Sequence, residues 1–134
     1  MRIAIILNGI SRKKKEFYAD FYPPLTRKFE VETFETQSEN HALELAAKAA
    51  EKEFEVIVSA GGDGTLHQII NGILSSQNNT RPPAVGIIPL GTGNDFARTC
   101  GIKRDVNQLI QFLEKNKAEP VDIGLVNCVD EKGK

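Results

Sequence analysis

The chain has 134 residues, enough for one ordinary domain with a single core. Hydrophobic residues make up 40% and charged residues 26%, the balance of a soluble globular protein, and no apolar run approaches a membrane span. A net charge of −1 gives no reason to expect a nucleic acid as partner.

Ile3–Leu7 is a continuous apolar run ended by Asn8-Gly9, as in a strand buried on both faces. The basic run Arg12-Lys13-Lys14-Lys15 follows, and reads either as a solvated loop or helix start, or as a phosphate-facing group. Phe17, Phe21 and Tyr22 fall at helical spacing up to a break at Pro23-Pro24. Phe29–Thr36 alternates apolar and polar side chains, the strand period. Ser38 opens the next segment, where Ala42, Leu43, Leu45, Ala46, Ala49 and Ala50 predict an alanine-rich amphipathic helix.

Glu55–Ala60 is the third predicted strand and Thr65–Leu74 the third helix. After a polar loop at Ser75–Pro83, Ala84–Pro89 is the fourth strand, followed by a short helical turn at Phe96–Cys100. Asp105 caps a helix running to Lys115, with Leu109, Ile110, Phe112 and Leu113 on one face. Pro120–Val129 is a last extended stretch, and Asp130–Lys134 reads as a hairpin turn without a return strand. That ending fits a piece of a longer chain or a disordered tail, and an unpaired strand there offers an edge to another copy. Strands alternating with helices predict an α/β fold, a three-layer sandwich around a mostly parallel sheet.

Two glycine-rich turns carry the chemistry. Gly61-Gly62-Asp63-Gly64-Thr65 follows the third strand and opens a helix; Gly91-Thr92-Gly93-Asn94-Asp95 follows the fourth. In a parallel sheet both open at the carboxyl edge, where glycines let backbone N–H groups and a helix N-terminus approach a phosphate. Glycines after strands also make ordinary turns, but two of matching composition at equivalent positions favour a shared cleft. A bare carboxylate at Asp63 would repel a phosphate, which points to a Mg²⁺ or a water network between them. No Gly-Lys-Thr or Gly-Lys-Ser follows either turn and the GxGxxG fingerprint is missing, so the cation must be Mg²⁺ or come from Arg12 or Lys13. Cys100 and Cys128, without CxxC spacing or a signal peptide, read as incidental thiols of a cytoplasmic protein. His41 and His67 lack any metal-ligand spacing.

Gly-Gly-Asp-Gly-Thr-Leu at 61–66, together with Pro89-Leu90-Gly91-Thr92-Gly93-Asn94-Asp95-Phe96-Ala97-Arg98, resembles the catalytic domain of the diacylglycerol kinase family. The resemblance extends from Asn8 through Thr36 and His41-Ala42 to Val121-Asp122-Ile123-Gly124. The first turn is shared with NAD kinases and, more loosely, phosphofructokinases; the Asn-Asp-Phe-Ala-Arg extension of the second is more specific to lipid kinases.

The resemblance implies a fold like the N-terminal domain of NAD and diacylglycerol kinases: an ATP-binding domain at 1–120, with 121–134 leading into a C-terminal β-rich domain. That second domain would bind the lipid and supply the catalytic base, so none is assigned here and this piece alone should have little activity. The implied activity is transfer of the γ-phosphate of ATP, with Mg²⁺, to a lipid hydroxyl, in a cytoplasmic protein that touches the membrane peripherally. An NAD kinase-like enzyme and a non-catalytic nucleotide-binding module are the alternatives. Carried over residue by residue, Asn8, Gly9, Ile10, Ser11, Arg12 and Lys13 form a first nucleotide loop and Thr36 a contact at the end of the second strand. Gly62, Asp63, Gly64, Thr65, Leu66, His67 and Gln68 form the phosphate turn with its helix start, and Thr92 is a contact in the second turn. Asp63, Asp95 and Asp122 match acidic positions around the Mg²⁺ and its waters, although Asp95 also suits a helix cap and Asp122 a simple ion pair. The first loop departs from the family's usual Asn-Pro start, and His67-Gln68 stands where the family usually has Asn-Glu.

Overall fold

A computed structural model describes residues 1–38, 40–76, 82–91 and 94–115. In chain order these form β1 (Arg2–Leu7), α1 (Lys14–Glu16), a wide π-type turn (Phe17–Phe21), α2 (Tyr22–Lys28), β2 (Glu30–Glu35) and α3 (His41–Glu51). Then come β3 (Val56–Gly61), α4 (Asp63–Ser75), β4 (Ala84–Pro89), α5 (Asp95–Thr99) and α6 (Val106–Lys115). The stretch Pro120–Val129 and the tail after it lie outside the described residues.

The four strands form one parallel sheet in the order β2-β1-β3-β4. Ile3 pairs with Val31 on one side and Val56 on the other, and Val56 in turn with Ala84. The apolar runs of β1 and β3 are the two inner strands, buried on both faces as the unbroken hydrophobicity requires. Only β2, at the edge, shows the polar alternation of a half-covered strand.

Side chains of alternate parity feed two cores. Ala4, Ile6, Ile57, Val85 and Ile87 pack with the buried alanines of α3 and with Leu66, Ile69 and Ile73 of α4. Ile3, Ile5, Leu7, Val58 and Ile88 pack on the other side with Phe17, Phe21, Leu25 and the Leu109, Ile110 and Leu113 face of α6. The three-layer α/β arrangement expected from the strand and helix alternation is therefore present. Helices α3 and α4 touch backbone to backbone at Gly72, where a Cβ would lie 2.3 Å from the Leu43 carbonyl oxygen.

Two local expectations change. Pro23-Pro24 does not break the helix: both prolines sit in the first turn of α2, where their missing N–H groups cost nothing. The turn before them widens instead, the Tyr22 N–H reaching back to the Phe17 carbonyl. Helix α4 begins at Asp63, two residues earlier than the apolar period suggests, because the turn residues themselves adopt helical geometry. Asp105 does cap α6, its carboxylate accepting the Asn107 N–H at 2.9 Å.

Candidate functional site

In this strand order the chain leaves β1 toward β2 on one side and returns to β3 on the other. Ligands of open α/β sheets bind outside the carboxyl ends of strands at such a switch point. The exits of β1 and β3 lie side by side there: the Asn8 N–H donates to the carbonyl of Ala60 in β3 at 2.9 Å.

The first loop is tied down along its length. The Gly9 N–H donates to the Thr36 hydroxyl at 3.1 Å, and a Cβ on Gly9 would lie 2.2 Å from the Thr36 carbonyl oxygen. The Asn8 side chain accepts the Ile10 N–H at 3.2 Å, and the Ser11 hydroxyl accepts the Lys13 N–H at 3.1 Å. Ile10 is 85% exposed at the tip. The basic run divides: Lys14 pairs with Glu35 at 2.6 Å, whereas Arg12, Lys13 and Lys15 have no ion-pair partner among the described residues. Those uncommitted cations stand beside the switch point, a placement suited to an anionic ligand.

The two glycine turns are built against each other. A Cβ on Gly91 would lie 2.6 Å from the Gly62 Cα, so Gly91 must be bare, whereas a Cβ on Gly62 would press on the Gly91 Cα at 3.3 Å. The Leu90 N–H donates to the Gly61 carbonyl at 2.9 Å, and Asn94 both accepts the Gly91 N–H and donates to its carbonyl. Asp63 reaches across: its carboxylate oxygens accept the N–H groups of Asp95 at 2.9 Å and Phe96 at 3.1 Å, capping α5 from outside. Asp95 itself pairs with Arg98. Gly64, in the first turn of α4, is different: a Cβ there would meet nothing within 4 Å. Glycine at that point has no packing reason, and open space at an N-terminus without a side-chain cap suits phosphate oxygens.

This arrangement matches a known one. The diacylglycerol kinase catalytic domain aligns with residues 2–126. The chain belongs to that family. It is 37% identical over 132 residues to the diacylglycerol kinase of Bacillus subtilis strain 168, covering 94% of this chain and 42% of that protein. To the Staphylococcus saprophyticus diacylglycerol kinase it is 36% identical over 129 residues, covering 94% of this chain and 41% of the relative. A crystal structure of a Bacillus anthracis diacylglycerol kinase superposes with a TM-score of 0.67 at 25% identity, over 94% of this chain and 42% of that one. The chain thus spans about two-fifths of the length of these relatives.

Of the residues that the diacylglycerol kinase resemblance singles out, Asn8 to Lys13, Thr36 and Gly62 to Gln68 line the loops and helix start at one sheet edge. Leu66 is the exception in character, buried in the core and holding α4 to the sheet. His67 is exposed and contacts Asn71 at 3.1 Å, and Gln68 is half-buried one residue on. Thr92 and Asp122 lie outside the described residues. No three Asp, Glu, His or Cys side chains converge on a point among the described residues. Asp63 retains lone pairs after accepting two N–H bonds.

Sequence reasoning missed the groups that fix the loops from behind. Glu35 accepts from the Tyr18 hydroxyl at 2.5 Å as well as from Lys14. Lys14 and then Tyr18 hold the Glu35 carboxyl below its ordinary value. The Tyr18 phenol is pushed up to about 12, first by partial burial and then by Glu35. Arg104 donates to the Pro89 carbonyl at 3.0 Å and to Glu16 at 3.2 Å. Nothing in the spacing of these residues marks them as neighbours.

Proposed function

We propose that this chain is the ATP-binding part of a lipid kinase that moves the γ-phosphate of ATP to a lipid hydroxyl such as that of diacylglycerol. The reading rests on one observation above all: Asp63 clamps two glycine turns together at the switch point, beside an open Gly64 and basic side chains with no ion-pair partner among the described residues. Membership in the diacylglycerol kinase catalytic domain family supports it.

In this reading the first-turn N–H groups of α4 and the bare backbone at Gly62 and Gly64 receive the phosphates. Arg12 and Lys13 offset phosphate charge in the absence of a Walker lysine. Asn8 to Lys13, Thr36 and Thr92 complete the nucleotide contacts. Mg²⁺, when bound with ATP, neutralises charge on the phosphate oxygens. Asp63, Asp95 and Asp122 are the carboxylates proposed for its water shell. The protein's main contribution is alignment of donor and acceptor, since a phosphoryl group is transferred with little covalent help. A P–O bond forms to the lipid oxygen as the bond to ADP breaks, and the hydroxyl proton leaves to a base. No side chain described here is proposed as that base, which belongs with the lipid site in the C-terminal β-rich domain implied by the resemblance.

The test is an assay of the full-length protein with radiolabelled ATP, offering diacylglycerol in mixed micelles and NAD in parallel. Label in the lipid, lost in Asp63→Ala, is the expected result. Label in NAD alone would transfer the assignment to an NAD kinase-like enzyme. Label in neither, with no ATP binding by calorimetry, would overturn the kinase reading.

A further inference from the structure

The three-residue helix α1 follows the first loop and has no buried residue of its own. It runs on without a break into the wide turn, where Phe17 is fully buried and donates its N–H to the Lys13 carbonyl at 3.1 Å, so the core anchors its far end only. Lys14–Glu16 bury no side chain, and the ties that Lys14 and Glu16 make run in two directions. On one side Lys14 meets Glu35 at 2.6 Å, with the Tyr18 hydroxyl on the other carboxylate oxygen. Glu35 is the last residue of β2 and the neighbour of Thr36, whose hydroxyl holds Gly9 at the loop's start. On the other side Glu16 meets Arg104 at 3.2 Å, and the same guanidinium holds the Pro89 carbonyl at 3.0 Å. Pro89 ends β4 just before the second glycine turn.

We propose that α1 is a two-sided bracket for the Asn8–Lys13 loop, with Glu35 and Arg104 as positioning residues. The loop leaves an inner strand, and the bracket fastens its far end to the exits of the two outer strands. Consecutive residues Glu35 and Thr36 thereby hold both ends of the loop. Arg104 carries the link onward to the second turn, so the unpaired Arg12 and Lys13 stay registered with both glycine turns. An arginine suits the second task because its planar fork serves two acceptors at once, which a lysine ammonium does less well. The inference rests on the nucleotide reading for its purpose, but the bracket itself can be measured without turnover.

The experiment compares full-length wild type with Glu35→Gln, Arg104→Lys and the swapped pair Lys14→Glu with Glu35→Lys. Amide hydrogen exchange of the peptide spanning Asn8 to Lys15 reports the loop, and the melting temperature reports the whole fold. Exposed ion pairs contribute little to global stability, so the signature should be local. Each single variant should speed loop exchange by about fivefold, the factor that loss of one such pair supports, with an unchanged melting temperature. The swapped pair should return exchange toward wild type. The KM for ATP should rise in both single variants while kcat stays near wild type. Loop exchange unchanged in both would overturn the bracket, whatever the activity. Faster exchange without any rise in the ATP KM would overturn the positioning role. Exchange remains readable in a protein that phosphorylates no lipid, so failure of the kinase reading is told apart from failure of the bracket.

Discussion

Gly62 and Gly91 meet backbone to backbone, and a Cβ placed on Gly91 falls 2.6 Å from the Gly62 Cα and 3.1 Å from its nitrogen. Both obstacles are main-chain atoms at strand exits, which cannot rotate away as a side chain can. Gly91→Ala must therefore push the second turn off the first. The expected cost is about 1–3 kcal/mol, the usual range for overpacking, read as a lower urea midpoint at unchanged slope. If the two turns together receive the phosphates of a nucleotide, its affinity should fall as well.

Asp63 allows its two roles to be separated. Asp63→Ala leaves the Asp95 and Phe96 N–H groups without their cap, which should cost about 1 kcal/mol. Asp63→Asn keeps one oxygen acceptor and should recover part of that stability. If its charge also serves a water-bound Mg²⁺, the asparagine variant should fold nearly as well as wild type and still lose phosphoryl transfer. Wild-type activity in a stably folded Asp63→Asn protein would leave Asp63 as a cap and nothing more.

Much of this was legible in the chain because the signals were local and periodic. The runs Ile3–Leu7, Glu55–Ala60 and Ala84–Pro89 read as strands of a covered sheet from their short length and the glycines that follow them, and the alanines of α3 announced one close-packed face. The two turns were visible because they match in composition and follow two strands at equivalent positions; either one alone would pass as an ordinary turn. Pro23-Pro24 misled, since a proline at the start of a helix and one that ends it look alike in sequence. The ties from Asp63 to α5, and from Arg104 to Glu16 and Pro89, span 32, 88 and 15 residues. Such pairings depend on the strand order and have no periodic signature.

Two glycines on one helix should respond in opposite ways. Gly64→Ala adds a methyl group to open space in the first turn of α4 and should raise stability by up to about 1 kcal/mol. If phosphate oxygens use that space, ATP affinity should fall in the same variant. Gly72→Ala meets the Leu43 carbonyl at 2.3 Å and the Ala46 Cβ at 2.9 Å, so it should separate α3 from α4 and destabilise by about 1–3 kcal/mol. Thermal melts and calorimetry on both variants check the pair. A stabilised Gly64→Ala protein that binds ATP as wild type does would remove the phosphate reading of that position.

The Lys14–Glu35–Tyr18 cluster predicts a pH response with a definite sign. The Glu35 carboxyl lies below its ordinary value of 4.5, chiefly through Lys14 and then Tyr18. Its contribution is therefore complete above that ordinary value and is lost as pH falls through the lowered one. Tyr18 behaves in the opposite sense: its phenol is raised from 10.0 to about 12, so its contribution is whole below the ordinary value and lost as pH climbs through the raised one. Because the Lys14–Glu35 pair is largely exposed, its contribution is local, and denaturant melts of wild type and Glu35→Gln should stay close at every pH. In a phenolate absorbance titration of the folded protein, Tyr18→Phe should remove the late component near pH 12. Protection factors at Asn8 to Lys13, with the intrinsic pH dependence of amide exchange divided out, should fall through the same acid transition in wild type and stay level in Glu35→Gln, since neutralising Glu35 by protonation or by mutation releases the same lysine.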